Sequence, residues 1–268
     1  MYRGAMARHL ALITGASSGI GAVFARKLAA RGYDLVLAAR RLDRLTQLAG
    51  ELSSANRIHA TAFAADLSTS SGIQQVADRI LAEPNLDLLV NNAGYGLKGR
   101  FWQTSVEDQE RMQAVHTTAT LRLTHAALQG MTKRNSGAIV NVSSVAAYAR
   151  SPGNVGYCAA KGWINDFTEG LYLELKTAGS NVRVQALCPG FTYTEFHDVM
   201  GVTRDRIARW LWMDAGYVVE RSLAGLDEAK LFVIPAWQYR MMSIVMPRVP
   251  SWLRVRLEAS SPHSRDRV

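Results

Sequence analysis

Short apolar runs alternate with amphipathic stretches along most of the chain. Six of these runs are largely apolar along their whole length, the pattern of strands buried on both faces of a sheet. They cover Leu10 to Thr14, Asp34 to Ala39, Ile58 to Ala64, Leu86 to Val90, Gly137 to Val142 and Val182 to Leu187. Apolar residues at helical spacing predict five helices between them, over Ile20 to Arg31, Leu42 to Leu52, Gly72 to Ala82, Val106 to Met131 and Tyr157 to Lys176.

Strands that alternate with helices in this way predict an α/β fold, a single Rossmann-type doubly wound parallel sheet with helices on both faces. The 268 residues contain no low-complexity linker, so we expect one domain over residues 1–268. Ligands of such sheets bind outside the carboxyl ends of the strands. Polar or glycine-rich clusters follow four predicted strands, and we expect one crevice to bring together Gly15, Asn92, Ser144 and Gly190.

A glycine-rich loop, Thr14-Gly15-Ala16-Ser17-Ser18-Gly19-Ile20-Gly21, joins the first strand to the first helix. Glycines let the backbone turn tightly and approach a pyrophosphate, which the helix N-terminus then stabilises. The GxxxGxG spacing is one residue longer than the common GxGxxG pattern. Its position between a strand and a helix at the start of the chain predicts dinucleotide binding.

Two other classes of enzyme use similar loops. Gly15 to Gly19 also matches the GxSxG elbow of serine hydrolases, but that elbow normally follows several strands and here follows one. A methyltransferase needs an acidic residue at the end of the second strand, where this chain has Ala39-Arg40-Arg41. We therefore prefer a dinucleotide-binding protein.

The end of the second strand also bears on which dinucleotide binds. A carboxylate there holds the ribose hydroxyl of NAD, whereas arginine accommodates the 2′-phosphate of NADP. Ala39 removes the carboxylate, and Arg40 and Arg41 offer guanidinium groups suited to a phosphate. The alternative is that these arginines only open a surface helix. We predict NADP(H) as the cofactor.

Tyr157 and Lys161 are four residues apart in a predicted helix, so they share one face. A free phenol has a pKa near ~10 and is a poor base at neutral pH, but a nearby ammonium lowers that pKa. Tyr157 could then exchange a proton with an alcohol or a carbonyl. With Ser144 thirteen residues upstream, the pair is the strongest chemical signal in the chain.

The composition excludes several kinds of site. The two cysteines and six histidines show no metal-ligand spacing, so no metal site is expected. Cysteines in apolar surroundings fit a reduced, cytoplasmic protein. The N-terminus does not resemble a signal peptide, and no apolar run reaches the ~18 residues of a membrane span. A second methionine, Met6, leaves the start of the chain open.

The formal charge of +9 is partly local, since six arginines and two acidic residues lie between Arg240 and Val268. Apolar residues are interleaved with these arginines. A membrane-surface or nucleic-acid patch is one interpretation. We favour the other, a basic and solvated tail that packs in part on the domain. We expect no nucleic-acid partner, and we expect residues 258–268 to be disordered.

Together these motifs resemble the short-chain dehydrogenase/reductase family, in its group with TGxxxGxG and YxxxK motifs, over about Leu10 to Phe196. The resemblance implies hydride transfer between NADP(H) and a carbonyl or alcohol, with Tyr157 as the proton donor or acceptor. It implies that Lys161 binds the nicotinamide ribose and lowers the tyrosine pKa. Ser144 would hydrogen-bond the substrate oxygen, and its alternative role is that of a turn serine.

The resemblance also implies which residues hold the cofactor. Asp66 looks like the family's adenine contact, with a helix cap as its alternative role. Asn92 to Gly94 looks like the segment beneath the adenosine ribose, and Pro189 to Thr194 like the stretch that orients the carboxamide. The implied cofactor-binding set is Gly15, Ser17, Ser18, Gly19, Ile20, Gly21, Arg40, Arg41, Asp66, Leu67, Asn92, Ala93, Gly94, Tyr157, Lys161, Pro189, Gly190, Thr192 and Thr194.

One position departs from the family pattern. The helix usually carries an asparagine that anchors a water-linked proton relay from the lysine, and His116 stands at that place here. A histidine can hold a water, relay a proton itself or pack as a neutral helix residue. The three roles stay open at this point.

The segment after Pro189-Gly190 is expected to determine the substrate. Its bulky apolar residues predict a lid and C-terminal extension over residues 191–250, and a hydrophobic substrate. A pair of helices packed on the sheet or on another subunit is the alternative. The residues behind this interpretation are Phe196, Met200, Ile207, Trp210, Leu211, Trp212, Met213, Pro235, Trp237, Met241, Met242 and Met246.

The resemblance further implies a homodimer or homotetramer built on the long helices, acting on a small-molecule carbonyl or alcohol. A non-catalytic NADPH-binding sensor or scaffold is the alternative from a different class. Such a protein could lose Tyr157 or Lys161, and both are present.

Overall fold

Buried apolar strands form a parallel sheet, and the helices between them cover both of its faces. The structure is a computed structural model that describes residues 8–195 and 207–260. For residues 257–260 it describes the backbone alone. Within these residues the strands are β1 (Leu10–Thr14), β2 (Asp34–Ala39), β3 (Ala60–Ala64), β4 (Leu86–Asn91), β5 (Ala138–Val142), β6 (Arg183–Leu187) and β7 (Phe232–Val233). The α-helices are α1 (Gly19–Ala30), α2 (Leu42–Asn56), α3 (Ser70–Leu81), α4 (Val106–Gln113), α5 (Ala119–Arg134), α6 (Val155–Thr177), α7 (Ala215–Asp227), α8 (Trp237–Val245) and α9 (Ser251–Ser260).

The sheet has the strand order β3-β2-β1-β4-β5-β6-β7, and all its pairings are parallel. The chain runs outward from β1 to β3 and then returns to place β4 on the other side of β1. Such a reversal opens a crevice at the carboxyl ends of the two central strands. The predicted fold class is confirmed, and the six predicted strands agree with β1 to β6 to within two residues at each end.

A separate hydrophobic core lies on each face of the sheet. On one face Phe24 of α1, Leu45 of α2 and Leu223 of α7 pack together. On the other, Ile73 of α3 and Leu123 of α5 pack against the sheet. Because both faces are covered, the strands need apolar side chains on both sides, which explains their uninterrupted apolar runs.

The prediction was wrong in two places. The helix predicted over Val106 to Met131 is divided by one π-helical turn, Ala114–Thr118, into α4 and α5. The periodicity of a helix continues across such a turn, so the sequence pattern does not reveal it. The sequence also gave no sign of β7, since two residues are too few to show a period.

Candidate functional site

One cavity of about 570 Å³ lies at the carboxyl ends of the strands. All but one of the residues predicted from the sequence line it, although they come from eight separate stretches of chain. Those lining residues are Gly15, Ser17, Ser18, Gly19, Ile20, Arg40, Arg41, Asp66, Leu67, Asn92, Ala93, Gly94, His116, Ser144, Tyr157, Lys161, Pro189, Gly190, Thr192 and Thr194. The exception is Gly21.

Gly21 does not line the cavity but packs behind the glycine loop. A Cβ atom at this position would lie 2.4 Å from the Gly15 carbonyl oxygen and 2.5 Å from the Asn92 amide nitrogen. Only a glycine lets the first turn of α1 lie this close to the loop. The structure therefore gives Gly21 a packing role, and its direct contact with a cofactor stays a prediction.

The glycine loop has the geometry of an anion cradle. Gly15 and Gly19 have φ angles of +66° and +56°, which favour glycine. Ser18 precedes α1 in extended backbone, and its side chain makes no capping hydrogen bond. The first amides of α1 are thus not capped by that side chain, and a helix N-terminus in this state stabilises a phosphate. The loop fits a dinucleotide pyrophosphate.

The end of β4 holds the glycine loop in place. The Asn92 side-chain amide donates to the carbonyl oxygens of Thr14 (2.9 Å) and Gly15 (3.3 Å). In return, the Thr14 hydroxyl accepts hydrogen bonds from the backbone amides of Asn92 and Ala93, each at 3.0 Å. Asn92 therefore acts on the loop in addition to lining the cavity.

An arginine cluster borders the loop. Arg41 donates to the hydroxyls of Ser17 (3.0 and 3.2 Å) and Ser18 (2.8 Å). Its third nitrogen contacts the Glu195 carboxylate at 3.2 Å, and Arg44 contacts the same carboxylate at 2.9 and 3.0 Å. Neither Arg44 nor Glu195 was predicted as a site residue. Their only signal in the sequence was charge, because Glu195 lies more than 150 residues from both arginines.

Asp66 and Arg40 both line the cavity, and the charge of Arg40 acts on the Asp66 carboxylate. Desolvation tends to raise the pKa of Asp66, but hydrogen bonds from Ser68 and the charge of Arg40 outweigh it, so the pKa is lowered. The carboxylate accepts from the Ser68 amide (2.9 Å) and hydroxyl (2.8 Å). Thr69 caps α3 by accepting from the Gly72 amide at 3.1 Å. The alternative role of Asp66 as the helix cap is therefore wrong.

Ser144, Tyr157 and Lys161 meet on the other side of the cavity. The Lys161 ammonium lies 5.5 Å from the centre of the Tyr157 ring and donates to the Val142 carbonyl oxygen at 2.6 Å. Ser144 Oγ accepts from the Ala146 amide at 3.1 Å, so it also serves as the turn serine of the alternative interpretation. The hydroxyl proton donates to the Pro189 carbonyl oxygen at 3.4 Å. Ser144 can therefore donate to a substrate oxygen only if its proton leaves this carbonyl, because a hydroxyl has one proton.

Burial changes the charge expected of Lys161. The side chain is buried, and desolvation lowers its pKa to about 7, with a smaller opposite effect from Cys188. From the sequence, Lys161 was expected to be a fixed ammonium. Burial instead brings its pKa close to neutral pH.

Buried polar bonds fix α6, which carries Tyr157 and Lys161, to the sheet. Asn91 of β4 donates to Asn141 of β5 at 2.9 Å, and Asn141 donates to Thr168 of α6 at 3.0 Å. The Ser143 hydroxyl also donates to the Lys161 carbonyl oxygen at 2.9 Å. Because buried polar groups must keep their partners, these bonds define the position of α6.

His116 sits in the π-helical turn and is only 1% exposed. Its Nε2 pairs with the Tyr95 carbonyl oxygen at 2.8 Å, which assigns the proton to Nε2 because a carbonyl can only accept. The ring packs edge-on against Tyr157, with 5.4 Å between centroids, and over Gly94, where a Cβ atom would lie 2.3 Å from Cε1. Nδ1 has no partner among the described residues.

The same surroundings keep His116 neutral. Desolvation, and then the charge of Lys161, lower its pKa to about 3, against an opposing effect of the Tyr95 carbonyl. An imidazolium is therefore not formed at physiological pH. Of the three roles considered, two fit the neutral ring: holding a water by accepting a hydrogen bond at Nδ1, and packing as a neutral residue. A proton relay through the ring does not fit, because it would require a second proton on the imidazole.

Replacement of His116 by Asn is expected to flatten the acid dependence of stability. Below pH 6.5 the unfolded chain protonates His116 while the folded protein does not, so wild-type stability falls as the pH drops toward about 3. Between pH 6.5 and 4 this corresponds to roughly 3 kcal/mol. Urea unfolding of both proteins at several pH values would measure it. Equal pH slopes would contradict the buried neutral state.

The segment expected to form a lid divides between the cavity, the core and the surface. Leu211, Tyr239 and Met242 line the cavity, whereas Ile207, Trp212, Met213 and Pro235 are buried and Trp210, Trp237 and Met241 are exposed. Met246 is half-buried in a 3-10 turn. Phe196 and Met200 lie outside the described residues. The alternative, helices packed on the sheet, applies to α7. Its residues Val218 and Leu223, and Met213 just before it, belong to the hydrophobic core that also contains Phe24.

Tyr239 of α8 holds the segment Pro189 to Thr194 and was missed by sequence reasoning. Its hydroxyl accepts from the Phe191 amide at 3.1 Å and donates to the Leu211 carbonyl oxygen at 2.5 Å. Its ring fills the space where Gly190 has no side chain, 2.1 Å from a built Cβ atom. The contact spans 48 positions, and no local pattern encodes it.

The described residues contain neither a candidate metal centre nor a helix suited to span a membrane. Among them, no group of histidine, cysteine, aspartate or glutamate side chains is arranged to hold a metal ion. None of the described helices combines the length and the apolar character needed to cross a membrane.

Comparisons with known proteins agree with this architecture. The profile of the short chain dehydrogenase family matches residues 9–204. A short-chain dehydrogenase from Sphingobium yanoikuyae, solved in complex with NADPH, is 34% identical, with a TM-score of 0.82 and coverage of 94% of this chain and 96% of that one. The bulky-bulky ketone specific alcohol dehydrogenase from Comamonas testosteroni is 30% identical, with a TM-score of 0.78 and coverage of 94% of both chains.

A third solved structure shows that the other dinucleotide occurs among similar proteins. It is a short-chain dehydrogenase/reductase from Burkholderia phymatum in complex with NAD, 26% identical, with a TM-score of 0.79 and coverage of 96% of this chain and 97% of that one. The family profile covers well over half of the 268 residues. The chain therefore belongs to the short-chain dehydrogenase/reductase family of oxidoreductases.

Proposed function

We propose that this protein is an NADP(H)-dependent oxidoreductase that interconverts the carbonyl and alcohol forms of a bulky, hydrophobic small molecule. The observation that carries this proposal is the convergence of three groups on one cavity: the glycine loop, the arginine cluster, and Ser144 with Tyr157 and Lys161. The first two suit an anionic dinucleotide. The third suits proton exchange with an oxygen atom.

NADP(H), when bound, supplies or accepts the hydride. The loop around Gly15 and the N-terminus of α1 would bind the pyrophosphate, and Asp66 would contact the adenine side. Lys161 lies between Tyr157 and the Val142 carbonyl oxygen, within reach of a ribose bound beside the tyrosine. The protein thus contributes binding, orientation and electrostatics, as is general for cofactor enzymes.

The proton step is assigned to Tyr157. In the reducing direction its hydroxyl would donate a proton to the developing alkoxide, and Ser144 Oγ would donate a hydrogen bond to the same oxygen. A cationic Lys161 beside the ring stabilises the resulting phenolate. His116, neutral and with Nε2 engaged, would position the back of the Tyr157 ring or accept a hydrogen bond at Nδ1 rather than carry the proton.

The substrate side of the cavity is apolar. Phe191, Leu211, Met242 and Val145 line it and present carbon rather than charge to a ligand. An apolar wall favours a hydrophobic substrate by roughly 25 cal/mol for each Å² that it buries. The similar alcohol dehydrogenase from Comamonas testosteroni is specific for bulky-bulky ketones. We propose that Leu211 and Met242, which line this side of the cavity, belong to the lid predicted within residues 191–250.

NADP(H) rather than NAD(H) is proposed because of the charges near the second strand. Arg40 and Arg41 line the cavity, and no carboxylate stands at Ala39. Glu195, however, already pairs with Arg41 and Arg44. A 2′-phosphate would compete with this carboxylate for the guanidinium groups.

Two substitutions are expected to move NADPH affinity in opposite directions. Arg41→Ala removes a phosphate partner and would weaken NADPH binding by about tenfold, as expected for a charge-assisted hydrogen bond. Glu195→Gln removes the competing carboxylate and would strengthen NADPH binding by a few-fold. Fluorescence titration with NADPH and NADH would measure both effects.

NADH serves as the control ligand because it lacks the 2′-phosphate. Its affinity should change little in either variant. If Arg41→Ala weakens NADH and NADPH equally, or if the wild type binds NADH more tightly, the proposed preference for NADP(H) is wrong.

The function itself is tested by mixing the protein with NADPH and each member of a panel of aldehydes and ketones of increasing bulk. The loss of NADPH absorbance measures turnover. Turnover of at least one apolar carbonyl is expected. A protein that binds NADPH but reduces none of the panel would instead fit the sensor or scaffold alternative.

We also propose a cytoplasmic homodimer or homotetramer. Exposed apolar residues on the long helices α5 and α6, namely Leu121, Val155 and Leu173, would be covered by such an assembly. Light scattering on the purified protein would give the oligomeric state.

A further inference from the structure

The C-terminal helices expose an apolar stripe that the oxidoreductase function does not use. Trp237, Met241, Ile244 and Val245 recur at helical spacing along α8, so they share one face, and each is exposed. Trp237 is 72% exposed, although tryptophan side chains are highly buried on average. An exposed stripe of this kind marks an interaction surface.

Two neighbouring segments also expose apolar residues. Trp210 lies beside the start of α8, where the Gln238 side chain donates to its carbonyl oxygen at 3.2 Å. Trp252 and Val255 are exposed one turn apart on α9. We call the residues Trp210, Trp237, Met241, Ile244, Val245, Trp252 and Val255, with the arginines between them, the apolar-basic surface.

The charge of this region is predominantly positive. Residues 231–257 contain four arginines, at positions 240, 248, 254 and 256, and no aspartate, glutamate or lysine, and Glu258 near the end of α9 is the first acidic residue after them. Arg256 lies 5.4 Å from the Trp252 ring centre. Helices that lie in the interface of an anionic membrane combine tryptophan and other apolar residues with an excess of arginine or lysine over acidic residues, as this region does.

We propose that the apolar-basic surface docks the protein peripherally on an anionic lipid membrane. A second copy of the chain fits it less well, because a two-fold contact would place these arginines against their own copies. Insertion of the α8 stripe would bury its apolar side chains, while the arginines would meet lipid phosphates. A basic, solvated tail that packs in part on the domain was favoured from the sequence. The membrane-surface alternative is taken up instead, because the exposed residues form an apolar stripe.

The position of the surface connects it with the cavity. On its inner side α8 contributes Tyr239 and Met242 to the cavity wall. Docking would thus place that wall within roughly one helix diameter, ~10 Å, of the lipid. A hydrophobic substrate dissolved in the membrane would then lie close to the site, a consequence that rests on the proposed function.

Vesicle binding tests the docking without cofactor or substrate, so its outcome is separate from that of the proposed function. The full chain is sedimented with vesicles of phosphatidylcholine alone and of phosphatidylcholine with phosphatidylglycerol. Binding to the anionic vesicles should exceed binding to the neutral ones by about tenfold or more and should weaken as salt is added.

A matched pair of variants assigns the binding to this surface. Ile244→Gln should weaken anionic-vesicle binding by about tenfold, given the value of burying one such side chain. Leu81→Gln is the control, because Leu81 is 52% exposed on α3 and Ile244 is 54% exposed. Docking is overturned if the wild type does not bind anionic vesicles, or if both variants bind equally well. It is also overturned if Ile244→Gln dissociates an oligomer while vesicle binding is absent.

Discussion

Replacement of Tyr157 by Phe is expected to lower carbonyl turnover by about 10²- to 10⁴-fold, the usual contribution of a positioned acid or base. Phe keeps the ring that packs edge-on against His116 and beneath Lys161. The variant loses only the hydroxyl oxygen that would give the proton. NADPH binding should stay within a few-fold of wild type, since the glycine loop and the arginine cluster are untouched. Steady-state kinetics and a fluorescence titration measure the two quantities.

Tyr172→Phe provides the control for this substitution. Tyr172 lies on the same helix, α6, but its ring contacts Lys176 and does not line the cavity. Its turnover should equal that of the wild type. Should Tyr157→Phe keep more than about a tenth of the activity, another group supplies the proton and the assignment fails.

The substitution Gly21→Ala is expected to impair cofactor binding without touching the cavity lining. The added methyl group would overlap the Gly15 carbonyl oxygen and the Asn92 amide. Relief requires a shift of the loop or of the end of β4, and overpacking of this kind costs about 1–3 kcal/mol. We expect NADPH affinity to fall by at least about tenfold, together with a lower melting temperature. Calorimetry and NADPH titration measure these changes.

Gly50→Ala is the matched control, another glycine in a helix. A Cβ at position 50 of α2 meets no atom within 4 Å among the described residues. This change should stabilise the protein by about 0.5–1 kcal/mol, because alanine loses less entropy in a helix. Wild-type NADPH affinity in Gly21→Ala would show that the loop tolerates the methyl group, against the packing role.

The features that could be predicted from the sequence are local. Each central strand carries its own buried apolar run, and the glycine loop and the Tyr157–Lys161 spacing fall within single loops or turns. Their convergence followed from one general rule, that ligands bind at the carboxyl ends of a parallel sheet. The fold class and most of the residues around the cavity were therefore within reach of the sequence and the family resemblance, whereas the cavity residues Glu195 and Tyr239 were not.

The features that could not be predicted depend on residues far apart in the chain or on burial. Glu195 reaches Arg41 across 154 positions, and the Tyr239 hydroxyl reaches Phe191 across 48. Neither contact has a period or a motif. The charge states of Lys161 and His116 likewise arise from desolvation, which a sequence does not display.

By itself, then, the sequence determined the order of strands and helices, the family resemblance, and which side chains could exchange a proton or hold a phosphate, since these follow from backbone propensity and residue chemistry. Only the tertiary structure decided that Gly21 packs behind the loop, that Lys161 titrates near neutral pH, and that His116 stays neutral against Tyr157. It also placed Glu195 among the arginines and turned one face of α8 outward. These outcomes depend on distance and burial in three dimensions, which packing sets and residue order alone does not contain.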